Sequence, residues 1–185
     1  MTWGNVLILA GLMLMAMPIQ ADELAGMAAF AKGDYPTALM EWRPLAEQGQ
    51  AEAQFNLGVL YDSGLGMNPD HAQAAEWYRR AAEQNHAQAQ FNLAVLYANG
   101  LGVTRSDAEA ARWYRRAAVQ GLSEAQFNLG VLYETGVGMI QDRVQAAEWY
   151  RRAAEQGHTA AQNNLGLLYA NGQGVVYDPV VAYAW

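Results

Sequence analysis

Few residues of this chain combine the types and spacings that catalysis requires. The chain contains no cysteine, which excludes disulfides, thiolate nucleophiles and cysteine-based zinc sites. Its serines are Ser63, Ser106 and Ser123, and none precedes a lysine by three residues or lies in a G-x-S-x-G motif. The sequence therefore predicts a protein that is not an enzyme and needs no cofactor.

Two further patterns have both a functional and a structural interpretation. The glycine pair Gly64 and Gly66 could belong to a phosphate-binding loop, but it follows a helical pattern and lacks the rest of such a fingerprint. The arginine pairs, such as Arg79-Arg80, could form a basic stripe. Glu76 precedes Arg80 by four residues, however, which favours ion pairing on a helix surface. We therefore interpret the glycines as turn residues and the arginines as structural.

These patterns recur because the sequence repeats itself every 36 residues, as the positions of Gly64, Gly100, Gly136 and Gly172 show. A repeat of this length indicates a stack of similar units that share one core. We divide the chain into residues 51–86, 87–122, 123–158 and an incomplete fourth copy at 159–185. Residues 22–50 form a diverged half or full repeat, since 34–50 aligns with 70–86.

Each copy contains two helical patterns. In the first copy, Leu57 and Leu60 belong to an apolar face with helical spacing, and Gly64 is suited to end that helix. Asp70 and Gln73 have the spacing of a capping box at the start of a second helix. One hairpin of this kind cannot bury both apolar faces, so stacking of neighbouring hairpins into an all-α solenoid is expected.

At these residues the chain resembles the Sel-one-like repeat (SLR) family, which is related to the tetratricopeptide repeat. The shared pattern is A-x-x-x-L-G-x-x-Y-x-x-G-x-G followed by D-x-x-x-A-x-x-W-Y-x-x-A-A-x-x-G, and it covers nearly all of residues 34–185. The resemblance implies a right-handed α/α superhelix of helix-turn-helix repeats that serves as an adaptor for other proteins. It also implies a bacterial protein that is periplasmic or secreted. Some exported relatives carry a disulfide in each repeat, which this chain lacks.

The same scheme predicts a binding surface on the first helix of each repeat. Phe55 and Val59 lie roughly opposite Leu57 on a helical wheel, which places them toward the concave side of the solenoid. An alternative is that Phe55 packs against the neighbouring repeat. The predicted protein-binding groove consists of Phe55, Asn56, Val59, Phe91, Asn92, Val95, Phe127, Asn128 and Val131.

The histidines and tryptophans have structural explanations. His86 and His158 share a repeat position but lie two repeats apart, too far for one metal site, so no metal is expected. Both are placed to favour a helix C-terminus. Trp77, Trp113 and Trp149 recur beside a tyrosine at helical spacing, which favours core packing over ligand recognition.

Charge and the N-terminal segment limit the possible partners. The net charge is −7, and Lys32 is the sole lysine, which disfavours nucleic-acid binding. Residues 6–17 form a short apolar run without charge, and small residues follow up to Ala21. This pattern predicts a signal peptide at residues 1–21 and no membrane span after its cleavage.

We conclude from the sequence that the chain is a scaffold that binds a protein or peptide in its concave groove. The alternative is a structural module of a larger envelope complex that joins other subunits through the ends of the repeat stack. Trp185 falls about two turns into a second helix. We therefore expect either a longer array or a last helix that needs a partner for order.

Overall fold

A computed structural model describes residues 21–185 of the chain. The signal peptide expected at 1–21 lies, apart from Ala21, outside the described residues. Within the described part, every regular element is a helix. The helices are α1 (Ala21–Ala31), α2 (Tyr35–Glu47), α3 (Ala51–Ser63), α4 (His71–Glu83), α5 (Ala87–Asn99), α6 (Asp107–Val119), α7 (Ser123–Thr135), α8 (Arg143–Glu155), α9 (Thr159–Asn171) and α10 (Pro179–Ala184).

In each repeat a first helix (α3, α5, α7 or α9) packs antiparallel against a second helix (α4, α6, α8 or α10). The first helix of repeat 51–86 ends because Gly64 adopts a left-handed conformation, with φ 64° and ψ 29°. The second helix begins at Asp70, whose carboxylate accepts hydrogen bonds from the amides of Ala72 and Gln73. The amide of Asp70 itself donates to the carbonyl of Tyr61, so only the first half of the predicted capping box is used for capping.

Consecutive hairpins share one continuous core. The buried face of α3, including Leu57 and Leu60, packs on Trp42 and Leu45 of α2. The same contact joins α4 to α5, α6 to α7 and α8 to α9. Each hairpin therefore completes its core with the hairpin that follows it, and the all-α solenoid predicted from the repeat is confirmed.

The second glycine of each predicted turn lies against the preceding repeat. Gly102 has a φ of 66°, and a Cβ atom at this position would overlap the backbone of His71 and Ala72 at the start of α4. Gly138 and Gly174 approach the starts of α6 and α8 in the same way. The glycine pairs are thus turn and packing residues, as the sequence predicted.

The first hairpin, α1 with α2, has a shorter connection than the repeats. Residues 32–34 join its helices, whereas residues 64–70 join α3 to α4. Gly26 lies against the ring of Trp42, just as Gly58 lies against Tyr78. The loss of four residues from the loop explains why α1 does not follow the 36-residue register although it packs as a first helix does.

Candidate functional site

We use the name first-helix face for the nine residues of the predicted groove and the equivalent positions of α9. All nine are half-buried and lie at equivalent positions on α3, α5 and α7. This partial exposure distinguishes them from Leu57, Leu93 and Leu129 on the same helices, which are fully buried. The face is therefore accessible along three consecutive repeats.

Each phenylalanine of the face is supported from below by the second helix of its own repeat. The ring centroid of Phe91 lies 5.7 Å from that of Tyr114, and Phe127 lies 5.8 Å from Tyr150. Phe55 also stacks on His86, at the junction to the next repeat, with ring centroids 4.6 Å apart. One side of each ring is thus used for packing within its own repeat, while the residue remains half-buried.

Two asparagines of the face lie close to the tyrosine of the preceding repeat. Asn92 lies near the hydroxyl of Tyr78, and Asn164 lies near that of Tyr150. The hydroxyl of Tyr78 also donates to Asp62 at 3.3 Å, and that of Tyr150 donates to Glu134 at 2.6 Å. In repeats 51–86 and 123–158, the tyrosine hydroxyl beneath the face therefore bonds to a carboxylate of the same repeat.

Burial and these carboxylates raise the pKa of the tyrosines. Burial is the main cause at Tyr78 and Tyr150, and the adjacent carboxylate adds to the increase. Repeat 87–122 has Ala98 where the other two have Asp62 and Glu134. Burial alone raises the pKa of its Tyr114 to about 12. The tyrosines therefore stay neutral at physiological pH, and Tyr78 and Tyr150 act as hydrogen-bond donors.

The face continues toward α1 into an apolar cavity of about 320 Å³. Trp42 takes the place of the tyrosine here, and its indole nitrogen is buried without a hydrogen-bond partner. Asn56, Val59 and Glu52 of α3 form the opposite wall and rim. A cavity of this size and lining could accommodate one large apolar side chain.

Three pairs of glutamines lie at the repeat junctions, and the sequence did not reveal their role. Gln90 is fully buried; its amide nitrogen donates to the carbonyl of Ala82 in the preceding repeat at 2.9 Å. Its amide oxygen accepts from Gln120 at 2.7 Å. Gln54 and Gln126 make the same pair of bonds. The clue in the sequence is that both glutamines of each pair recur in every full repeat.

The arginines and tryptophans support the structural interpretation. Glu76 pairs with Arg80 at 3.0 Å, as the four-residue spacing predicted. The neighbouring Arg79 also pairs with Glu76 at 3.0 Å, and it donates to the hydroxyl of Tyr97 in the next repeat, a contact that the sequence did not suggest. Trp113 is buried and lies between two arginine guanidinium groups, which agrees with its predicted packing role.

Two of the three histidines, His86 and His158, cap the helix that follows them. The Nδ1 atom of His86 accepts from the amide of Ala89 at 3.2 Å and caps the start of α5. His158 caps α9 in the same way through Ala161. The predicted role at the preceding C-terminus is therefore corrected, because the side chain points forward along the chain. Residues 21–185 contain no group of three side chains that could hold a metal ion.

The model of the family described as Sel1 repeat matches residues 51–86, 87–122, 123–158 and 159–185. This chain belongs to the Sel1 repeat family. The resemblance read from the repeated motifs is thereby confirmed. Sel1 repeats form protein-interaction scaffolds and are not a catalytic fold. Within residues 21–185, no helix is long and apolar enough to cross a membrane.

Solved structures of Sel1 proteins share the fold. A protective antigen of uropathogenic Escherichia coli with an SLR fold is 38% identical, with a TM-score of 0.84, over 89% of this chain and 36% of its own. A Sel1 repeat protein from Oxalobacter formigenes is also 38% identical with a TM-score of 0.84, over 88% of this chain and 67% of its own. The cysteine-rich protein B of Helicobacter pylori is 20% identical with a TM-score of 0.55, over 69% of this chain and 92% of its own.

The last of these shares the fold alone. This chain spans about a third of the length of the Escherichia coli antigen, since the match covers 36% of that protein. A comparison with curated proteins found no match.

Proposed function

We propose that this Sel1 protein binds an extended segment of a partner protein along the first-helix face of α3, α5 and α7. The observation that carries the proposal is the half-exposed row of Phe55, Phe91 and Phe127, each ring fixed from below by packing. Rigid aromatic side chains contribute contact area at little entropic cost. The asparagine beside each ring can donate to and accept from a peptide backbone.

We further propose that the protein is exported and works in the periplasm or outside the cell. The support is the apolar run at residues 6–17 followed by small residues up to Ala21. Mass spectrometry of the protein from its native host would then show an N-terminus at or near Asp22. An intact Met1 on a soluble cytoplasmic protein would contradict export.

Substitution of the central ring tests the binding surface. Phe91→Ala is expected to weaken capture of the partner from a periplasmic extract by about 1–3 kcal/mol, because it removes the middle anchor of the face. Val119→Ala is the matched control, since Val119 is 70% exposed on α6, away from the face. Circular dichroism gives the folded fraction of each variant. Unchanged binding per folded molecule in Phe91→Ala would show that the ring has only a packing role.

A second candidate function is assembly through the end of the repeat stack. Apolar side chains in and before α10 are strongly exposed, with Val176 at 86%, Val180 at 78% and Tyr183 at 95%. Apolar patches of this kind commonly mark protein contacts. If the protein forms oligomers at high concentration and Tyr183→Ser prevents their formation, assembly is favoured over peptide capture by a monomer.

A further inference from the structure

Acidic and basic residues occupy different helices of the repeat stack. The first helices α3, α5, α7 and α9 contain four carboxylates and neither lysine nor arginine. Those carboxylates belong to Glu52, Asp62, Glu124 and Glu134. Eight of the ten arginines lie on the second helices α4, α6 and α8, Arg43 lies on α2, and Arg105 lies in the loop just before α6. The side of the molecule that carries the first-helix face is therefore the negative side.

The carboxylates of the first helices keep their negative charge uncompensated by lysine or arginine. Among residues 21–185, each ion pair of an arginine joins it to an acid on a second helix. Glu52 contacts His86, and its side chain is 53% exposed. Glu124 accepts a hydrogen bond from the hydroxyl of Ser123, and its residue is exposed. Both can therefore meet a cation that approaches from solvent.

These carboxylates alternate along the stack. The position of Glu52 is occupied by Gln88, Glu124 and Ala160 in the following repeats. The position of Asp62 shows the same order, with Ala98, Glu134 and Ala170. Negative charge thus recurs in every second repeat, with the uncharged stretch around Phe91 and Val95 between the two acidic rows.

The spacing of the acidic rows sets a length for the ligand. Neighbouring helices pack about 10 Å apart, so Glu52 and Glu124 are separated by about 20 Å across two repeats. An extended peptide advances about 3.3 Å per residue and covers this distance in about six residues. The apolar cavity between α1 and α3 is bordered by Glu52.

We propose that the first-helix face binds an extended segment of another protein that carries two lysine or arginine residues about six positions apart, with apolar side chains between them. The basic residues pair with Glu52 and Glu124, and the apolar residues contact Phe91 and Val95. Charge complementarity selects this partner, since an acidic segment would be repelled at both acidic rows. The inference rests on the proposed function and adds the chemistry of the partner to it.

Binding of defined peptides to the full chain tests the inference by fluorescence anisotropy at low and high salt. The probe is a labelled peptide with two lysines about six positions apart and leucines between them. One comparison peptide has glutamine in place of lysine, and another has the two lysines adjacent. We expect the spaced lysine peptide to bind about fivefold more tightly than either at low salt, and high salt to remove the difference.

Two protein variants with equal charge changes locate the effect. The double variant Glu52→Gln with Glu124→Gln should bind the spaced lysine peptide about fivefold more weakly than the wild type does. Glu83→Gln with Glu155→Gln removes the same two charges from exposed positions on α4 and α8, and should change binding less than about twofold. Gln88→Glu adds a carboxylate to the middle repeat and should improve binding of the peptide with adjacent lysines.

Several outcomes would overturn the inference without deciding the proposed function. In the first, the lysine and glutamine peptides bind equally tightly, and Phe91→Ala abolishes the binding of both. The groove would then bind peptides without a charge preference. Another is an equal loss in the two double variants, which would indicate a general charge effect. A third outcome is self-association of the protein. If the double variant Glu52→Gln with Glu124→Gln abolishes it and the peptide does not compete with it, the face binds a second copy of this chain. If no peptide binds, the charge inference fails, and capture from the extract still decides the proposed function.

Discussion

Gln90 and Phe91 are neighbours in the chain and both recur in each of the three full repeats, yet one lies at the repeat junction and the other on the first-helix face. Gln90 is fully buried between two repeats, where its amide bonds to both. Phe91 is half-buried on the first-helix face, supported by Tyr114. The contrast between the repeat junction and the first-helix face shows that recurrence alone does not separate packing from binding. The distinguishing observation is the fraction of each side chain that remains exposed.

The largest expected difference between the two surfaces concerns apolar side chains. Leu93→Ala should lower the free energy of unfolding by about 2–5 kcal/mol, because Leu93 is fully buried at the junction and its loss leaves a cavity. Val95→Ala, on the first-helix face of the same helix, should cost less than about 1.5 kcal/mol. Urea unfolding of both variants measures the difference. Equal losses would show that the face is as tightly packed as the junction.

A smaller difference is expected for two glutamines of α5. Gln90→Ala should cost about 1–3 kcal/mol, since it leaves the carbonyl of Ala82 and the amide of Gln120 without their partner. Gln88 lies two positions earlier and is only half-buried, so Gln88→Ala should change stability by less than about 0.5 kcal/mol. The same unfolding assay applies. A neutral Gln90→Ala would mean that the buried glutamine row does not stabilise the junction.

The smallest effect concerns the tyrosines that lie between the two surfaces. Their pKa is raised in the folded state, so the stability that they contribute is present below the unfolded pKa of about 10 and is lost as pH rises above it. For Tyr114 the loss extends to pH about 12. Glu134→Gln should lower the pKa of Tyr150, because a neighbouring negative charge is removed.

Phenolate absorbance as a function of pH measures these pKa values, and Ala98→Glu supplies the reverse change. It places a carboxylate at the position of repeat 87–122 that corresponds to Glu134, and should raise the pKa of Tyr114. A pKa of Tyr150 that does not respond to Glu134→Gln would show that burial alone sets it. In that case the carboxylates do not hold the tyrosines beneath the face.

Much of the fold could be predicted because the sequence repeats its local signals in register. Gly64 and its equivalents end the first helices, and Asp70, Ser106 and Asp142 start the second helices as predicted. These features depend on short-range contacts, which a single sequence displays. The return half of the capping box was not predictable in the same way, because the amide of Asp70 finds the carbonyl of Tyr61 across the turn.

The roles of several recurring polar residues could not be predicted, since most of their partners lie far away along the chain. Gln54 meets Gln84, and Arg79 meets Tyr97, across distances of 30 and 18 residues along the chain. His86 was assigned to the helix before it, yet it caps the helix after it. In each case the side chain could reach several partners, and the sequence does not rank them.

By itself, the sequence determined the period, the helix ends and the membership of the Sel1 repeat family, because those follow from local residue preferences repeated in register. Only the tertiary structure decided which side of each first helix is fully buried and which side remains partly exposed to solvent. Hydrophobic spacing places Leu93 and Phe91 on different sides of α5, but it does not say how closely a neighbour approaches either. That distance depends on how consecutive hairpins stack, and stacking buries Leu93 while it leaves Phe91 half-exposed.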